Sequence, residues 1–571
     1  MVSRSPGKKR SIKKSLERTK RRGKKGKSKA AKGEDSKLSL SPRQKLMLER
    51  EATAKRTEAI TFVAITLLAS GFVGLILTLL LSPKLGLAAG LGLMCLILSF
   101  KFQRTALYVF VIYLPFAGTV IYVLGGSNVL QIAKDVFYIP ALIGVVQFCR
   151  KNKLPIILPK AIKAPLIFAV IVIMMNIMFG NLPDQVTQTG GKWPMVMAVW
   201  GIKVLLSYIP LVTCIYYLIR DKRDLLWFLR LQVILILIAC GLGLIQFVML
   251  RTGICAGTVG EGVELFRADL DARCFVGGSL LYSPEVGTVR LPGTFVAPWQ
   301  WAWFLISAVF FSFATTFSDE SPFWRTVGLV SMVAVMTMAV VSGQRIALLL
   351  VPVSALILAM LTGQVKNLKR FLPIGILLGI ILAYLIINNP EIVQAQIQSF
   401  INRWEASPPQ QFIVGQIQRA LREQRGIFGY GVGRATNSAR IFGDTVLIET
   451  YHPKLIHEIG VLGLMAMLAL YTTVTVATFR AYRKTKDKNL RIYAASMWVF
   501  VLFISYWPYY YPLDVDPVSV YYWLAAGIIL KIPEIEQQEQ DKAALLKAGG
   551  NLNALSKKAR RRQKKNEPTF G

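Results

Sequence analysis

The sequence predicts an all-α, polytopic transmembrane helix bundle of about 12–14 spans with two large outer loops. Three observations predict it. The 571-residue chain carries a formal net charge of +37 together with a mean hydropathy of +0.47. One soluble domain with that balance would expose large apolar patches. The apolar residues gather into many runs, most of them near the roughly 20 residues that cross a hydrocarbon core. The cations gather outside those runs, in the tails and in alternate connections.

Residues 1–57 read as a basic, disordered tail with KKRSIKK and KRRGKKGK clusters. Residues 532–571 form a second, milder basic tail with KKARRRQKK at 557–565. Both tails read either as solvated segments that set topology or as attractors of anionic lipid headgroups, at roughly 1 kcal/mol per basic residue. Neither has the aromatic interleaving of a nucleic-acid binder, so no specific nucleic acid is expected. The first apolar run begins near Ile60, is too long for a signal-peptide core and precedes no small-residue cleavage site. It reads as a retained anchor.

Runs at 60–81, 85–100, 105–124, 129–148, 164–179, 195–218 and 225–250 make an N-terminal group of spans within 58–250. Runs at 299–317, 326–341, 346–361 and 371–387 make a central group, 299–387, and runs at 453–478, 492–511 and 518–530 a C-terminal group, 453–531. The second, fifth, ninth, tenth and last runs are short, which suits re-entrant or interfacial segments for two of them. Lys134 and Asp135 interrupt the fourth run and could pair within the bundle.

With the first tail inside, the alternate connections should be basic. They hold Lys101 and Arg104, then Arg150, Lys151 and Lys153, then Arg220, Lys222 and Arg223. Further on come Lys366, Lys369 and Arg370, then Arg480, Arg483, Lys484, Lys486, Lys488 and Arg491. The weak connection is 318–325, where Asp319 and Glu320 outweigh Arg325. This parity puts both termini in the cytoplasm and loops 251–298 and 388–452 outside. Neither loop contains lysine; their cations are Arg251, Arg267, Arg273 and Arg290, then Arg403, Arg419, Arg422, Arg425, Arg434 and Arg440. The positive-inside bias disfavours both residue types equally, so arginine without lysine suits bidentate recognition of carboxylate or phosphate.

Cys255 and Cys274 share the first outer loop, where a disulfide is permitted and would pin it near the bilayer. The other cysteines fall in spans or at their edges. No His/Cys cluster has metal-ligand spacing and no nucleotide-binding glycine motif is present, so neither metal nor cofactor is expected. In the second loop Ile392, Ile397, Phe400, Ile401 and Trp404 form one apolar stripe, and Phe412, Ile413, Ile417 and Leu421 another. Such helices either lie in the interface or cap the bundle.

The two histidines, His452 and His457, lie in ETYHPKLIHEIG beside Glu449 and Glu458. With a helix starting near Pro453, Glu449 and His452 stand at its mouth, where an acid or imidazole could take a proton from a hydroxyl. The alternative is a helix cap, with His457 a satisfied bundle residue. Arg345, in SGQRIALLL, opens a span and must snorkel, pair or hold an anion. Arg290 precedes LPGTFVAPWQWAW, whose tryptophans, Trp299 and Trp301 among them, form either an interfacial belt or a stacking platform for a sugar ring. Asp514 and Asp516, in the Tyr-rich last outer loop, shape a turn or bind glycan.

Four segments resemble the bacterial O-antigen ligase and O-antigen polymerase family. RLPGTFVAP at 290–298 is similar to its Arg…Gly-Thr-Phe-x-x-Pro segment, and SGQRIALLL to its Ser-Arg-Gly-Ala signature with an inserted Gly-Gln. GYGVG at 429–433 resembles its Gly-x-Gly-x-Gly turn, and HEIGVLGL at 457–464 its Glu-x-Gly-x-x-Gly helix start. The segments follow the family order. The resemblance implies metal-independent transfer of glycan from an undecaprenyl-pyrophosphate-linked oligosaccharide to an acceptor hydroxyl, on the periplasmic face of the bacterial inner membrane. It implies that Arg290 and Arg345, with Arg434, hold the pyrophosphate, and that Glu449 or His452 serves as base. The family histidine falls at Glu449 here, with His452 one turn on, and an acid in this region tilts the reading from ligase towards polymerase. Trp299, Trp301 and His457 are then candidate glycan contacts. The rival readings are a transporter of a small anion such as bicarbonate and a non-catalytic scaffold with basic tails.

Overall fold

The computed structural model describes residues 42–123, 133–187, 193–255, 273–277, 281–283, 288–365, 408–423 and 425–547, with isolated positions at 387, 390, 394, 398, 401 and 405. Most of both basic tails, the run at 371–386, Arg267, Ile392, Ile397, Phe400, Arg403 and Trp404 lie outside the described residues. The chain divides after Ile65 into two units. The described part of the first, 42–65, belongs to helix α1 (Pro42–Leu80), and the second holds every other element.

The architecture is all-α, as the runs predict. In order come α2 (Pro83–Lys101), α3 (Gln103–Tyr113), α4 (Ala117–Val123), α5 (Asp135–Lys151), α6 (Lys163–Asn176), α7 (Leu182–Thr187), α8 (Pro194–Leu206), α9 (Leu211–Leu218) and α10 (Lys222–Arg251). A short ribbon, β1 (Leu281–Ser283) antiparallel to β2 (Thr288–Arg290), precedes α11 (Pro298–Ser318), α12 (Pro322–Val341) and α13 (Arg345–Leu361). Then follow α14 (Pro409–Glu423), α15 (Tyr451–Lys484), α16 (Lys488–Tyr506) and α17 (Val518–Lys547). Among the described residues nine stretches are long and apolar enough to cross a membrane, and α8 with α9 adds a tenth as one span bent by 40°. The chain is a multi-pass membrane protein. The shortfall from the expected count lies in α2, α5 and α13, whose apolar stretches fall below the roughly 20 residues of a full crossing, and in the run at 371–387.

Helix starts follow local chemistry. Pro83 opens α2 after Ser82, whose side chain accepts from Leu85 N–H at 3.3 Å. Asp221 and Asp487 do the same for α10 and α16, accepting from Asp224 and Leu490 N–H at 2.9 Å each. α11 is the central helix, buried along nearly its whole length between α12, α13 and α16. Small residues let its neighbour approach. Ser312 and Ser331 hydroxyls meet at 2.8 Å, and a Cβ at Gly328 would stand 2.8 Å from Thr316 N.

The acidic excess of 318–325 resolves in three dimensions. Asp319, 0% exposed, receives both Arg230 Nε at 2.8 Å and Nη2 at 2.7 Å. Glu320 pairs with Lys222, and Arg325 Nε donates to the Asp319 carbonyl at 2.5 Å. Cations from α10 therefore offset the acids of this turn. α14 packs on α15, with Phe412 edge-on to Tyr509 at 5.9 Å, so this amphipathic helix caps the bundle. Cys255 and Cys274 are joined by a disulfide, their Cα atoms 5.5 Å apart, and Gln246 Nε2 on α10 donates to the Cys274 carbonyl at 3.1 Å.

Removing the buried acid tests the Arg230 pair. Asp319→Ala is expected to lower unfolding stability by about 3 kcal/mol, the low end for one partner lost from a buried pair because Arg230 is partly exposed. Thermal unfolding in lipid or detergent checks it; a loss below about 1 kcal/mol would show that the guanidinium finds another acceptor.

Candidate functional site

Helix α15 is broken at Gly460, whose φ of 72° and ψ of 179° interrupt the hydrogen-bond ladder. The carbonyls of His457 and Glu458 are thereby freed, and they accept Tyr430 N–H at 2.7 Å and Gly431 N–H at 3.1 Å. The GYGVG segment, 429–433, thus docks edge-on into the break. Its glycines are needed for close approach as well as for positive φ. A Cβ at Gly433 would lie 2.1 Å from the Met197 carbonyl oxygen, and one at Gly460 would lie 2.0 Å from that of Ile427.

Two buried asparagines hold the same segment from the other side. Asn181 donates to the Pro194 carbonyl at 3.0 Å and the Val432 carbonyl at 2.9 Å, and accepts Val432 N–H at 2.8 Å. Asn176 accepts Val432 N–H at 2.9 Å and donates to the Glu458 carbonyl at 2.7 Å and to that of Phe428. Residues five apart on an ordinary α-helix point to different sides; the π-helical turn Ile177–Asn181 widens the helix so that both reach one peptide.

Buried charges lock the surrounding loops. Glu458 accepts Ala435 N–H at 2.8 Å and the Thr436 hydroxyl at 2.9 Å. Lys454 lies 3.7 Å from Glu458 and 2.5 Å from Asp514. Asp184 takes Arg425 at 2.7 Å and Arg434 at 2.8 Å. Burial pushes the Arg434 guanidinium below its ordinary pKa while Asp184 opposes that; on Arg425 the hydrogen bond to Asp184 dominates and raises it. The last loop is pinned by Tyr451 N–H to Pro508 C=O at 2.6 Å and Tyr510 N–H to Glu449 C=O at 3.0 Å. The 290–298 segment is held by Leu291 N–H to Ser342 C=O at 3.0 Å and Thr119 N–H to Thr294 C=O at 3.2 Å.

At this end of the bundle lies a cavity of about 310 Å³. Phe295, Ala297 and Trp299 form one wall, Asn437, Ser438 and Arg440 a second, and Tyr511, Asp514 and Asp516 a third. Lys134, Trp200, Lys203 and Tyr208 complete it from the helices. Lys134 pairs with Asp516, and Lys203 with Asp135. The Lys203 ammonium also stands 4.6 Å from the centre of the Trp200 ring, whose Nε1 donates to Ser438 Oγ at 2.9 Å. Tyr113 and Ser207 also line it, and their buried hydroxyls have no hydrogen-bond partner among the described residues. Fixed cations, carboxylates and aromatic faces together can hold an anionic, hydroxyl-rich ligand.

The residues singled out from the sequence fall into two groups. Trp299 lines the cavity. Arg290 and Arg345 flank the Leu291–Ser342 bond, which brings their segments together, yet neither lines the cavity. Glu449 and His452 are half-buried beside the last loop and likewise stand outside the lining. Arg434 is 2% exposed and committed to Asp184, so its charge serves the turn rather than a ligand. Trp301 is fully buried over Gly293 and stacked on Phe304 at 5.3 Å, which makes it core packing and not a platform. His457 is 1% exposed and stacked parallel to Tyr430 at 5.3 Å, with no partner for its ring nitrogens among the described residues. Thr450, the residue before α15, makes no side-chain cap. Among the described residues no three His, Cys, Asp or Glu side chains gather as metal ligands.

Sequence reasoning missed Lys203 and Lys454. Each is a lone cation at or inside an apolar run, the one signal that marks an intramembrane ionisable group as functional or paired. Lys134 and Asp135 pair within the bundle, each with a residue on another element. No protein-family model matches the chain and no curated protein matches it, so residues and geometry carry the functional argument.

The glycine requirement is directly testable. Gly460→Ala and Gly433→Ala should each destabilise by more than about 2 kcal/mol, since the new Cβ meets backbone at a positive φ. Gly415→Ala, in α14 with nothing within 4 Å, should be neutral or stabilise by up to about 1 kcal/mol. Melting curves of the three variants in one lipid check the ordering.

Proposed function

We propose that the chain is a membrane glycosyltransferase of the O-antigen ligase or polymerase type, seated in a bacterial inner membrane. It moves glycan from an undecaprenyl-pyrophosphate carrier to an acceptor hydroxyl. One observation carries this reading. The four segments that resemble the family form two bonded pairs, and the cavity is walled by one of them, 290–298, and by residues 437–441, which follow GYGVG. The 290–298 segment supplies a wall, SGQR is tied to it through Ser342, and GYGVG is docked on HEIG. The basic connections at the opposite end support a periplasmic cavity and cytoplasmic termini.

The chemistry suits the cavity. Pyrophosphate is a good leaving group, so the site chiefly has to align donor and acceptor and to meet developing negative charge. Lys134, Lys203 and Arg440 are cations within the lining, the two lysines fixed by ion pairs, and Trp200 and Trp299 offer faces to a sugar. Arg290 and Arg345, one segment away, are assigned to the carrier's pyrophosphate, where the prenyl chain runs back between spans.

A second reading, transport of a small anion, is favoured by the Lys203–Asp135 pair. Lys203 lies nine residues into α8, roughly 13 Å along the helix, and such a buried pair suits a permeation path.

A reconstituted assay separates the two. Purified protein in lipid receives undecaprenyl-pyrophosphate-linked oligosaccharide, with and without a lipid acceptor, and products are sized. Transfer is expected, and Arg290→Ala or Arg345→Ala should reduce it by at least about 10²-fold at unchanged protein level. Full activity in both variants would remove the pyrophosphate assignment. Bicarbonate flux into vesicles without any glycan transfer would replace the enzyme by a carrier.

A further inference from the structure

The cavity holds two carboxylates, and they are not equivalent. Asp514 is bonded at 2.5 Å to Lys454, itself buried beside Glu458, and only 6% of its side chain is exposed. Its charge is needed inside the fold, where Lys454 would otherwise be a buried cation facing Glu458 alone. Asp516 keeps 27% of its side chain exposed in the cavity. Its Oδ2 faces the Lys134 ammonium and lies 3.4 Å from the Tyr208 hydroxyl; its Oδ1 accepts from Ser519 Oγ at 3.2 Å. Those partners come from the residue before α5, the bend between α8 and α9, and the start of α17. Three elements thus fix the direction of one carboxylate while leaving it open to the cavity. Glu449 and His452 have no such access, because neither lines it.

We propose that Asp516 is the catalytic base of the transfer, an assignment that rests on the glycosyltransferase reading. The acceptor oxygen forms a bond to the anomeric carbon of the donor sugar. The bond from that carbon to the pyrophosphate oxygen breaks, and its electron pair leaves with the carrier pyrophosphate. The proton of the acceptor hydroxyl passes to Asp516 and is later released through the cavity to water. No redox partner or further reactant is needed.

Lys134 gives the step its electrostatic logic. In the resting site the Lys134 ammonium and the Asp516 carboxylate cancel. When Asp516 takes the proton, Lys134 loses its direct partner and keeps only the attraction of Asp135, which is already shared with Lys203, so the cavity gains positive charge at the moment when the leaving group gains negative charge. The site therefore presents its cation in the transition state more strongly than in the ground state, which is the condition for lowering the barrier. Lys203 does not change in this way, since Asp135 neutralises it from behind the wall.

The test is a set of steady-state measurements on the full chain in lipid. Asp516→Asn keeps the shape that Ser519 and Tyr208 contact and removes the base. Its kcat should fall by about 10²–10⁴-fold while KM for the donor moves by less than about threefold. Asp516→Ala should be equally slow and should regain turnover with formate, a free carboxylate small enough for the cavity; Asp514→Ala should not respond to formate. A kcat within about threefold of the unmodified chain in Asp516→Asn overturns the assignment. So does a folded Asp516→Ala that formate leaves inert. If both variants fail to fold, Asp516→Glu decides, because it keeps the Lys134 pair and only displaces the carboxylate. A kcat drop of tenfold or more supports the base, on the order of what misplacement by about 1 Å costs, and an unchanged kcat removes it. Transfer by the unmodified chain with full activity in these variants leaves the glycosyltransferase reading standing. An unmodified chain that transfers nothing overturns both.

Discussion

Two peptide carbonyls, those of His457 and Glu458, carry the organisation of the cavity end. An intact α15 would spend them on its own ladder, and Gly460 prevents that. Once free, buried and far from water, they must find donors. The donors are Tyr430 and Gly431 N–H, so the break in one helix dictates where a loop some thirty positions earlier has to dock. That docking then sets the second loop's path, because Val432 is gripped by Asn176 and Asn181, and Ala435 and Thr436 by Glu458. Asn437, Ser438 and Arg440 follow directly and become a wall of the cavity. One backbone irregularity, paired with the π-helical turn that supplies the asparagines, therefore positions residues that never touch it.

The buried charges work by the same principle of forced satisfaction. An ionised side chain within a membrane bundle costs several kcal/mol unless it is paired and hydrogen-bonded. Here each pair joins separate elements: Lys134 to the loop before α17, Asp135 to α8, Lys454 to that same loop, and Asp184 to both arginines of the second loop. Such pairs add little net stability over an apolar core. What they do add is register, since a helix shifted by one position would leave an unpaired charge in the interior.

The helices were legible because hydropathy is a one-dimensional property, and every run within the described residues falls on helix, although 105–124 and 195–218 each break into two and 492–511 overruns the helix that ends at Tyr506. The glycine-rich turn and the re-entry at 290–298 were legible for a related reason: Gly and Pro report local backbone geometry. Partnerships were not. Lys134 and Asp135 are neighbours in sequence, yet residues i and i+1 point away from each other on a helix, so each had to pair across the bundle. Arg434 shows the same limit. An arginine kept in a lysine-free loop suits an anion, and it has found one, but the anion is Asp184 of the same chain. Trp301 reads as an interfacial tryptophan until Gly293 is seen to leave room beneath it. The acids of 318–325 look like a topological anomaly until Arg230 and Lys222 are placed beside them.

This pairing also explains how a cavity with so many charges can suit a reaction that makes more. A site lined by unopposed cations would bind a pyrophosphate in the ground state as firmly as at the transition state, and uniform binding does not raise turnover. In the present cavity two of the three lining cations are held by carboxylates, and the third, Arg440, makes no ion pair among the described residues. Arg440 can draw an anionic group in, while the paired lysines add their charge only when a carboxylate gives its own up. A wall built from ion pairs thus behaves as a reserve of positive potential that the proposed proton transfer releases. The same arrangement in a carrier would be released by an incoming proton instead. What separates the two uses is whether the proton comes from a bound hydroxyl or from bulk water; in the proposed transfer it comes from the hydroxyl and passes to Asp516, whose direction three elements fix.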